Sequence, residues 1–63
     1  DTNMKPGDLV QGSFENAFGE WTRQGLFLGF MVSGNYQYSE VYWFYENIIS
    51  SIQTNRLEVL QWL

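Results

Sequence analysis

The sequence predicts a small all-β domain, a partly open antiparallel barrel of five short strands. Short runs rich in β-branched and aromatic residues alternate with polar segments, as strands alternate with turns. Turn signals recur about every eight to ten residues, a spacing typical of small all-β domains. Aromatic residues make up 19% of the chain, and such large side chains let a short chain build a core. With 63 residues, the chain has room for one domain.

The N-terminal part is predicted to begin with a tail and a turn. Residues 1–4 are interpreted as the tail, because the turn motif KPGD follows at residues 5–8. Proline presets the backbone for a turn, and glycine permits a positive φ. Asp8 can accept a hydrogen bond from the backbone of its own turn. Residues 8–14 are predicted to form the first strand.

The next segment combines a predicted loop with the clearest strand of the chain. Residues 15–24, ENAFGEWTRQ, are predicted as a loop because they mix polar residues, a glycine and isolated aromatics. Residues 25–33, GLFLGFMVS, predict the second strand, in which Gly29 marks a bend or a bulge. Gly34 and Asn35 supply turn chemistry. Their aromatic neighbours suggest a loop longer than a two-residue hairpin turn.

The C-terminal half is predicted to hold three more strands. In chain order, the expected elements are a strand at 38–45, a turn at 46–47, a strand at 48–53, a single 3₁₀ turn at 54–56, a strand at 57–60 and a tail at 61–63. An alternative is an α+β domain in which 48–63 is helical, because its apolar residues also follow helical spacing. Ser50, Ser51, Thr54 and Asn55 are weak helix formers, which favours strands.

Four short motifs occur in an order that points to a known family. They are KPGDLV at 5–10, LFLGFMV at 26–32, VYWF at 41–44 and IQTNRLEVL at 52–60. In this order they resemble the small SH3-like barrel proteins encoded by tailed bacteriophages. The resemblance covers residues 5–60 and implies a five-stranded, partly open SH3-like barrel. It also implies a virion component that is made in the host cytoplasm.

Two features depart from the pattern of that family. The loop predicted at 15–24 is aromatic and longer than expected. Phe30 and Met31 also stand where a smaller apolar pair is usual. Both departures add surface to the barrel and leave its strands intact.

The inventory of reactive side chains argues against an enzyme. The chain has no His and no Cys, so catalytic triads, thiol chemistry and zinc or haem sites are not expected. Its carboxylates are interpreted as solubilising charges in turns and on polar strand faces, not as a catalytic pair: Asp8, Glu15, Glu20, Glu40, Glu46 and Glu58. The sequence therefore predicts no catalytic residue, no cofactor and no metal site.

Charge and hydropathy restrict the class of partner. The formal net charge is −4, with only three cationic residues. Three scattered cations do not form the basic patch on which nucleic-acid binding depends. No apolar run approaches the roughly 20 residues that span a bilayer, so no membrane association is expected. The expected partner is another protein.

The chain has more apolar residues than a small barrel can enclose. Hydrophobic residues make up 44% of the sequence, whereas five short strands offer roughly a dozen inward positions. Strand alternation and the family pattern predict inward side chains at Val10, Leu28, Phe30, Val32, Val41, Trp43, Ile49, Ile52, Leu57 and Val59. They predict outward side chains at Phe27, Met31, Tyr42, Phe44 and Leu60. Phe14, Phe18 or Trp21 is expected to fold over the barrel and cover some of them.

The remaining exposed aromatics predict a docking surface. Large exposed apolar patches mark interaction sites, and aromatic residues commonly anchor them. The predicted partner-binding residues are Trp21, Tyr36, Tyr38, Tyr42, Phe44 and Trp62. An alternative is an aromatic cage for a cationic ligand, built from Tyr36, Tyr38 and Trp43.

These observations lead to three functional hypotheses. The first is a non-enzymatic phage virion protein, part of the capsid or the tail, that docks through an aromatic face onto other virion proteins or copies of itself. The alternative is a small phage-encoded regulator that binds and inhibits a host protein. The third is a nucleic-acid module inside a larger complex that supplies the missing positive charge.

Overall fold

Five antiparallel strands form one sheet in the computed structural model, which describes residues 4–61. The elements are β1 (Leu9–Asn16), β2 (Gly19–Ser33), β3 (Tyr36–Trp43), β4 (Ile48–Gln53), a 3₁₀ turn (Thr54–Arg56) and β5 (Leu57–Gln61). The strand order across the sheet is β4-β3-β2-β1-β5, so β4 and β5 are its edges. The predicted small, partly open five-stranded all-β fold is confirmed. Trp62, one of the predicted docking residues, lies outside the described residues.

The loop predicted at 15–24 is wrong, because β1 and β2 form one long hairpin. Their register continues to Asn16 opposite Gly19, leaving a two-residue turn. The side chain of Asn16 fixes this turn by accepting a hydrogen bond from the Phe18 backbone N–H at 2.8 Å. Phe14 lies directly opposite Trp21, and their rings stack with centroids 5.9 Å apart. Cross-strand aromatic packing of this kind outweighs the weak strand preference of the polar residues between them.

The connection between β2 and β3 is shorter than predicted. Ser33 pairs with Tyr36, so Gly34 and Asn35 form a two-residue turn, and the longer loop expected from the aromatic neighbours is wrong. Gly34 has φ +62°, the conformation that a hairpin turn of this length requires and that glycine adopts without strain. The third strand consequently starts and ends two residues earlier than the predicted range 38–45.

The predictions for the C-terminal half are closer to the structure. β4 and the 3₁₀ turn have the predicted bounds, and β5 extends one residue further, to Gln61. The helical alternative for residues 48–63 is wrong over the described residues 48–61. Asn47 makes the preceding turn possible, because it adopts φ 61° and its N–H donates to the Trp43 carbonyl at 2.8 Å.

A β-bulge in β2, which Gly29 predicts, is confirmed. Phe27 pairs with Val41 and Gly29 pairs with Glu40, so Leu28 is an extra residue on β2. A bulge changes the face to which the following residues point. Phe27, before the bulge, pairs with the buried Val41, and Phe30, after it, pairs with the buried Ser39, so both lie on the core face although they are three residues apart. Phe27 is fully buried, and its predicted outward orientation is wrong.

The core lies on one face of the sheet and is small. Its buried hydrophobic members are Met4, Val10, Phe27, Val41, Trp43 and Ile52, with Phe14, Leu57 and Val59 packed against them. Met4, which the sequence places in the N-terminal tail, is thus part of the core. The inward orientation predicted for Val10, Val41, Trp43 and Ile52 is confirmed.

Four residues predicted to fill the core are exposed: Leu28, Phe30, Val32 and Ile49. Leu28 is the extra residue of the bulge. Phe30 is on the core face by register, opposite the buried Ser39, and its ring centroid lies 4.8 Å from that of Phe27. Phe30 and Val32 lie on the part of β2 that extends beyond its pairing with β1, so the open sheet does not cover them. Ile49 pairs with Tyr42 and lies on the opposite face.

The KPGD turn is hydrogen-bonded to β2 next to the bulge. Asp8 is fully buried, and its Oδ2 accepts a hydrogen bond from the Lys5 backbone N–H at 2.8 Å. The predicted bond between Asp8 and its own turn is therefore confirmed. The Phe27 N–H donates to the Asp8 carbonyl at 2.9 Å, and the Gly7 N–H donates to the Phe27 carbonyl at 2.8 Å.

A buried pair of hydroxyl groups joins β3 to the 3₁₀ turn. Ser39 Oγ and Thr54 Oγ1 are 2.8 Å apart and both residues are buried. We expect Ser39→Ala to lower the free energy of unfolding by about 1–3 kcal/mol, because it leaves the Thr54 hydroxyl buried without a partner. Urea unfolding measures this change. The matched control is Ser33→Ala at the exposed end of β2, and an equal effect of both variants would contradict the expectation.

Candidate docking surface

The regular alternation of β3 separates two faces of the sheet. Ser39, Val41 and Trp43 are buried on the core side. Side chains of intervening residues point to the opposite side, because successive residues of a strand alternate. This opposite side is called the outer face below. It carries Tyr36, Tyr38, Glu40 and Tyr42 from β3.

An apolar row crosses four strands on the outer face. Leu9 pairs with Leu26, Leu26 pairs with Tyr42, and Tyr42 pairs with Ile49. Directly opposite side chains in an antiparallel pair have Cβ atoms about 4.5–5.5 Å apart, so neighbouring members of the row are cross-strand neighbours on one face. Leu9, Leu26 and Tyr42 are half-buried, whereas Ile49 is exposed.

Phe44 extends the apolar row at the end of β3. Its ring meets that of Tyr42 edge to face, with centroids 5.8 Å apart. Its backbone N–H donates to the Gln24 carbonyl at 3.1 Å, which prolongs the β2–β3 pairing by one residue. The Tyr42 hydroxyl donates to Asn47 Oδ1. These contacts hold the two rings in place before any partner arrives.

A second aromatic group lies further along the same face. Tyr36 and Tyr38 have ring centroids 6.5 Å apart, and Met31 pairs with Tyr38 from β2. Tyr36 and Met31 are exposed, and Tyr38 is half-buried. Tyrosine suits a surface that alternates between water and a partner, because its ring is apolar and its hydroxyl is polar.

Glu40 stands between the two aromatic groups. It lies between Tyr38 and Tyr42 on the outer face of β3, and its cross-strand neighbours are Gly29 and Ser51. Gly29, directly opposite Glu40 on β2, has no side chain to cover the Glu40 carboxylate. Within residues 4–61, Glu40 is exposed and forms no salt bridge. A carboxylate flanked by aromatic rings can bind an arginine or lysine side chain of a partner.

The aromatic set predicted from the sequence divides between the two faces. Tyr36, Tyr38, Tyr42 and Phe44 share the outer face. Trp21 is on the core side, where it stacks on Phe14, and the Phe14 ring lies edge-on to Trp43 with centroids 5.4 Å apart. Phe14 and Trp21 thus pack on the core side and not over the outward residues Tyr42 and Phe44, so the predicted covering of outward residues is wrong; Phe18 is 97% exposed at the hairpin tip.

The cationic cage considered above is not formed. Tyr36 and Tyr38 lie on the outer face, and Trp43 lies on the core face of the same strand. Trp43 is buried, and its Nε1–H donates to Ser50 Oγ at 2.8 Å. Its ring is therefore unable to join the two tyrosines around one ligand.

Concave regions beside the core include a cleft and a groove. A cleft of about 220 Å³ is lined by Phe14, Trp21, Arg23, Trp43, Glu46, Ile48 and Ser50. The Arg23 guanidinium lies at its rim, 3.2 Å from the Glu46 carboxylate and 4.4 Å from the centre of the Tyr45 ring. A more polar groove of about 520 Å³ is lined by Ser13, Phe14, Glu15, Glu20, Gln53, Asn55, Arg56, Leu57 and Glu58.

Sequence reasoning did not identify the residues that complete the outer face. Leu9 and Leu26 belong to the apolar row but were assigned to neither face, and Ile49 was predicted to point inward. The signal that places Ile49 outside is the pairing of Trp43 with Ile48 across the turn at residues 44–47. That register puts Ile48 on the core side and Ile49 on the outer side.

Comparison with known proteins gives no match, whether with family models, curated proteins or solved structures. Across residues 4–61, no group of three or more His, Cys, Asp or Glu side chains is placed to hold a metal ion. In the same part of the chain, no helix has the length and apolar character needed to cross a membrane.

Proposed function

We propose that this chain is a non-enzymatic docking protein that binds another protein through the outer face of its sheet. One observation carries the proposal: an apolar row and a tyrosine group lie on a face that the described chain leaves uncovered. A monomer gains no stability from exposing such side chains together. Contiguous apolar surface of this kind is typical of protein interaction sites.

The shape of the surface favours a protein partner. The outer face of an open sheet is broad, so it suits a flat interface better than a small enclosed ligand. Tyrosine and other aromatic side chains are common at the centre of such interfaces, where each can contribute about 2 kcal/mol or more. Tyr38, Tyr42 and Phe44 provide these anchors.

Charge indicates which partner surface fits. Glu40 offers an uncompensated carboxylate amid the aromatic side chains, and the whole chain carries a net charge of −4. A complementary partner surface carries arginine or lysine opposite Glu40, which steers the encounter and fixes the orientation of the complex. The partner proposed here is therefore a protein with a basic patch beside apolar residues.

The resemblance to small phage barrel proteins extends this proposal to a virion role. In that form, the partner is a capsid or tail protein, or a further copy of the chain in the particle. Repetition on a symmetric shell would turn a weak single contact into a strong attachment. The alternative, a small phage-encoded regulator that inhibits a host protein, would use the same outer face on a soluble target.

Site-specific photo-crosslinking tests the docking surface directly. A photoreactive phenylalanine analogue is placed at Tyr38, and the chain is produced in the cells in which it naturally occurs. We expect covalent capture of one partner protein through Tyr38. The matched control carries the analogue at Phe18, an exposed position at the distant hairpin tip. Equal capture from both positions, or capture only from Phe18, would refute the proposal.

Alanine variants of two outer-face aromatics give a quantitative prediction. We expect Tyr38→Ala and Phe44→Ala each to weaken binding to the captured partner by about tenfold or more, because each removes an aromatic anchor. Binding is measured by titration calorimetry with the purified partner. Phe18→Ala is the control and should bind as the unaltered chain does. The thermal midpoint of each variant is recorded, so that lost folding is separated from lost contact.

An analysis of gradient-purified phage particles distinguishes a virion protein from a regulator of a host protein. Quantitative mass spectrometry should find this chain at a copy number that matches a capsid or tail symmetry. If the chain is found only in the soluble fraction, bound to one host protein, the virion role is rejected and the role as a regulator is supported.

A further inference from the structure

We propose that β4 is a self-association edge, which pairs antiparallel with β4 of a second copy to form a continuous ten-stranded sheet. β4 pairs with β3 on one side, and no other strand in the described part of the chain pairs with its second side. Such an edge presents a row of backbone N–H and C=O groups that another extended strand can bind. This proposal concerns an edge of the sheet, and it stands independently of docking through the outer face.

β4 lacks the features by which proteins usually protect a sheet edge. Residues 47–55 contain no charged residue and no proline. The pairing of β3 with β4 runs from Tyr38 opposite Gln53 to Trp43 opposite Ile48 without a register shift, so no bulge twists this edge away. The other edge, β5, differs on both counts, because it carries Glu58 and its pairing with β1 shifts register.

A two-fold axis at Ser50 gives a register in which the side chains of both copies match. In this arrangement Ser50 faces Ser50 of the second copy, and Ile48 faces Ile52 of the second copy on the core side. Ile49 faces Ser51 of the second copy on the outer side. Ile48 is 51% exposed in the single chain, so pairing would cover apolar surface twice, once on each side of the axis. Cross-strand pairs of β-branched residues stabilise antiparallel sheets.

Charge does not prevent a second copy from pairing with this edge, although each copy carries a net charge of −4. The joining strand is uncharged, and Glu40 on β3 is the acidic residue on the neighbouring strand. In the paired sheet, the two Glu40 side chains are three strand spacings apart, about 14 Å. That distance exceeds the screening length of about 8 Å at physiological ionic strength, so their repulsion is weak.

Such a dimer keeps both outer faces on the same side of one sheet. The apolar row of each copy then ends at Ile49, which faces Ser51 of the second copy, and that Ser51 pairs with Glu40 of its own chain. Two docking surfaces in a fixed arrangement make the dimer bivalent toward a partner with repeated sites.

Sedimentation equilibrium of the full chain measures self-association. A matched pair of lysine variants tests whether β4 is the strand through which the copies associate. We expect a monomer–dimer equilibrium between about 10 µM and 1 mM protein. Ser51→Lys should weaken dimerisation at least about tenfold, because the lysines of the two copies are brought close together and edge lysines block strand pairing. Within one chain that lysine faces Glu40, so folding is not threatened. Ser33→Lys changes the net charge equally at the exposed end of β2 and should leave dimerisation unchanged.

Disulfide trapping tests the register, because the chain contains no cysteine of its own. Ser50→Cys places a thiol on the proposed axis, opposite its own copy, within the reach of a disulfide. We expect rapid oxidation of this variant to a covalent dimer. Ser51→Cys is the matched control, because in this register its two copies are diagonal neighbours, about 7–8 Å apart and too distant to bond readily.

Two results would overturn the proposal. One is a chain that stays monomeric throughout the concentration range. The other is a dimer that responds equally to Ser51→Lys and Ser33→Lys and forms no selective disulfide through Ser50→Cys. Neither result bears on docking through the outer face, which Tyr38→Ala and Phe44→Ala test separately.

Discussion

Replacing Trp43 with alanine is expected to leave most of the chain unfolded at room temperature. Trp43 is 3% exposed and packs against Phe14 at the centre of the small core. Removal of a buried tryptophan side chain typically costs about 3–5 kcal/mol. A domain of this size usually has a free energy of unfolding of roughly the same amount, so the variant is left with little or no net stability.

Circular dichroism with urea unfolding measures this effect. Trp43→Phe is the graded variant, because it keeps an aromatic ring and loses the hydrogen bond from Nε1 to Ser50 Oγ. It should be less stable than the unaltered chain but remain folded. Phe18→Ala removes a fully solvated ring and should change the free energy of unfolding by less than about 0.5 kcal/mol. A folded, cooperative Trp43→Ala chain would mean that the core does not depend on this ring.

Gly25→Ala is expected to be the most damaging replacement of a glycine by alanine. A Cβ atom at Gly25 would lie 2.3 Å from the Tyr42 carbonyl oxygen and 2.7 Å from Val41 Cγ1. The first of these atoms belongs to the backbone of the paired strand β3, so it moves only if the β2–β3 pairing is distorted. Overpacking typically costs about 1–3 kcal/mol, and a backbone obstacle places this variant at or above the upper end.

Gly29→Ala is the matched control on the same strand. A Cβ atom at Gly29 would meet no heavy atom within 4 Å, so the added methyl group is accommodated. This variant should be neutral, or more stable by about 0.4–1 kcal/mol through a restricted unfolded chain. Thermal unfolding of both variants provides the comparison. Equal stability of the two would contradict the close approach of β2 and β3 at Gly25.

The sequence predicts strands well where turn signals and apolar runs coincide. β4 and the 3₁₀ turn have the expected bounds because turn-forming residues flank the apolar run of β4, Asn47 before it and Thr54–Arg56 after it. The hairpin of β1 and β2 was missed because its polar residues resemble a loop. The pairing of Phe14 with Trp21, which holds it together, is a contact between strands and not a local preference.

Prediction of the docking surface depended on knowing the register of each strand. The alternation of Tyr38, Tyr42 and Phe44 along the predicted strand at 38–45 is sufficient to place them together. Tyr36 joins the same face because β3 starts two residues earlier than predicted. Trp21 could not be assigned in this way, because its strand was not recognised. The role of Glu40 emerges only from its pairing with Gly29 across β2 and β3, which depends on the bulge.

The position of β1 between β2 and β5 has a kinetic consequence. The pairings of β1 with β2, β2 with β3 and β3 with β4 each join strands that are consecutive along the chain. The pairing of β1 with β5 instead joins distant segments, as Gly12 opposite Leu57 shows. Closing so long a loop carries the largest entropic cost of any pairing in the sheet. We therefore expect the four-stranded meander to form early in folding, and the pairing of β1 with β5 to form last and open first.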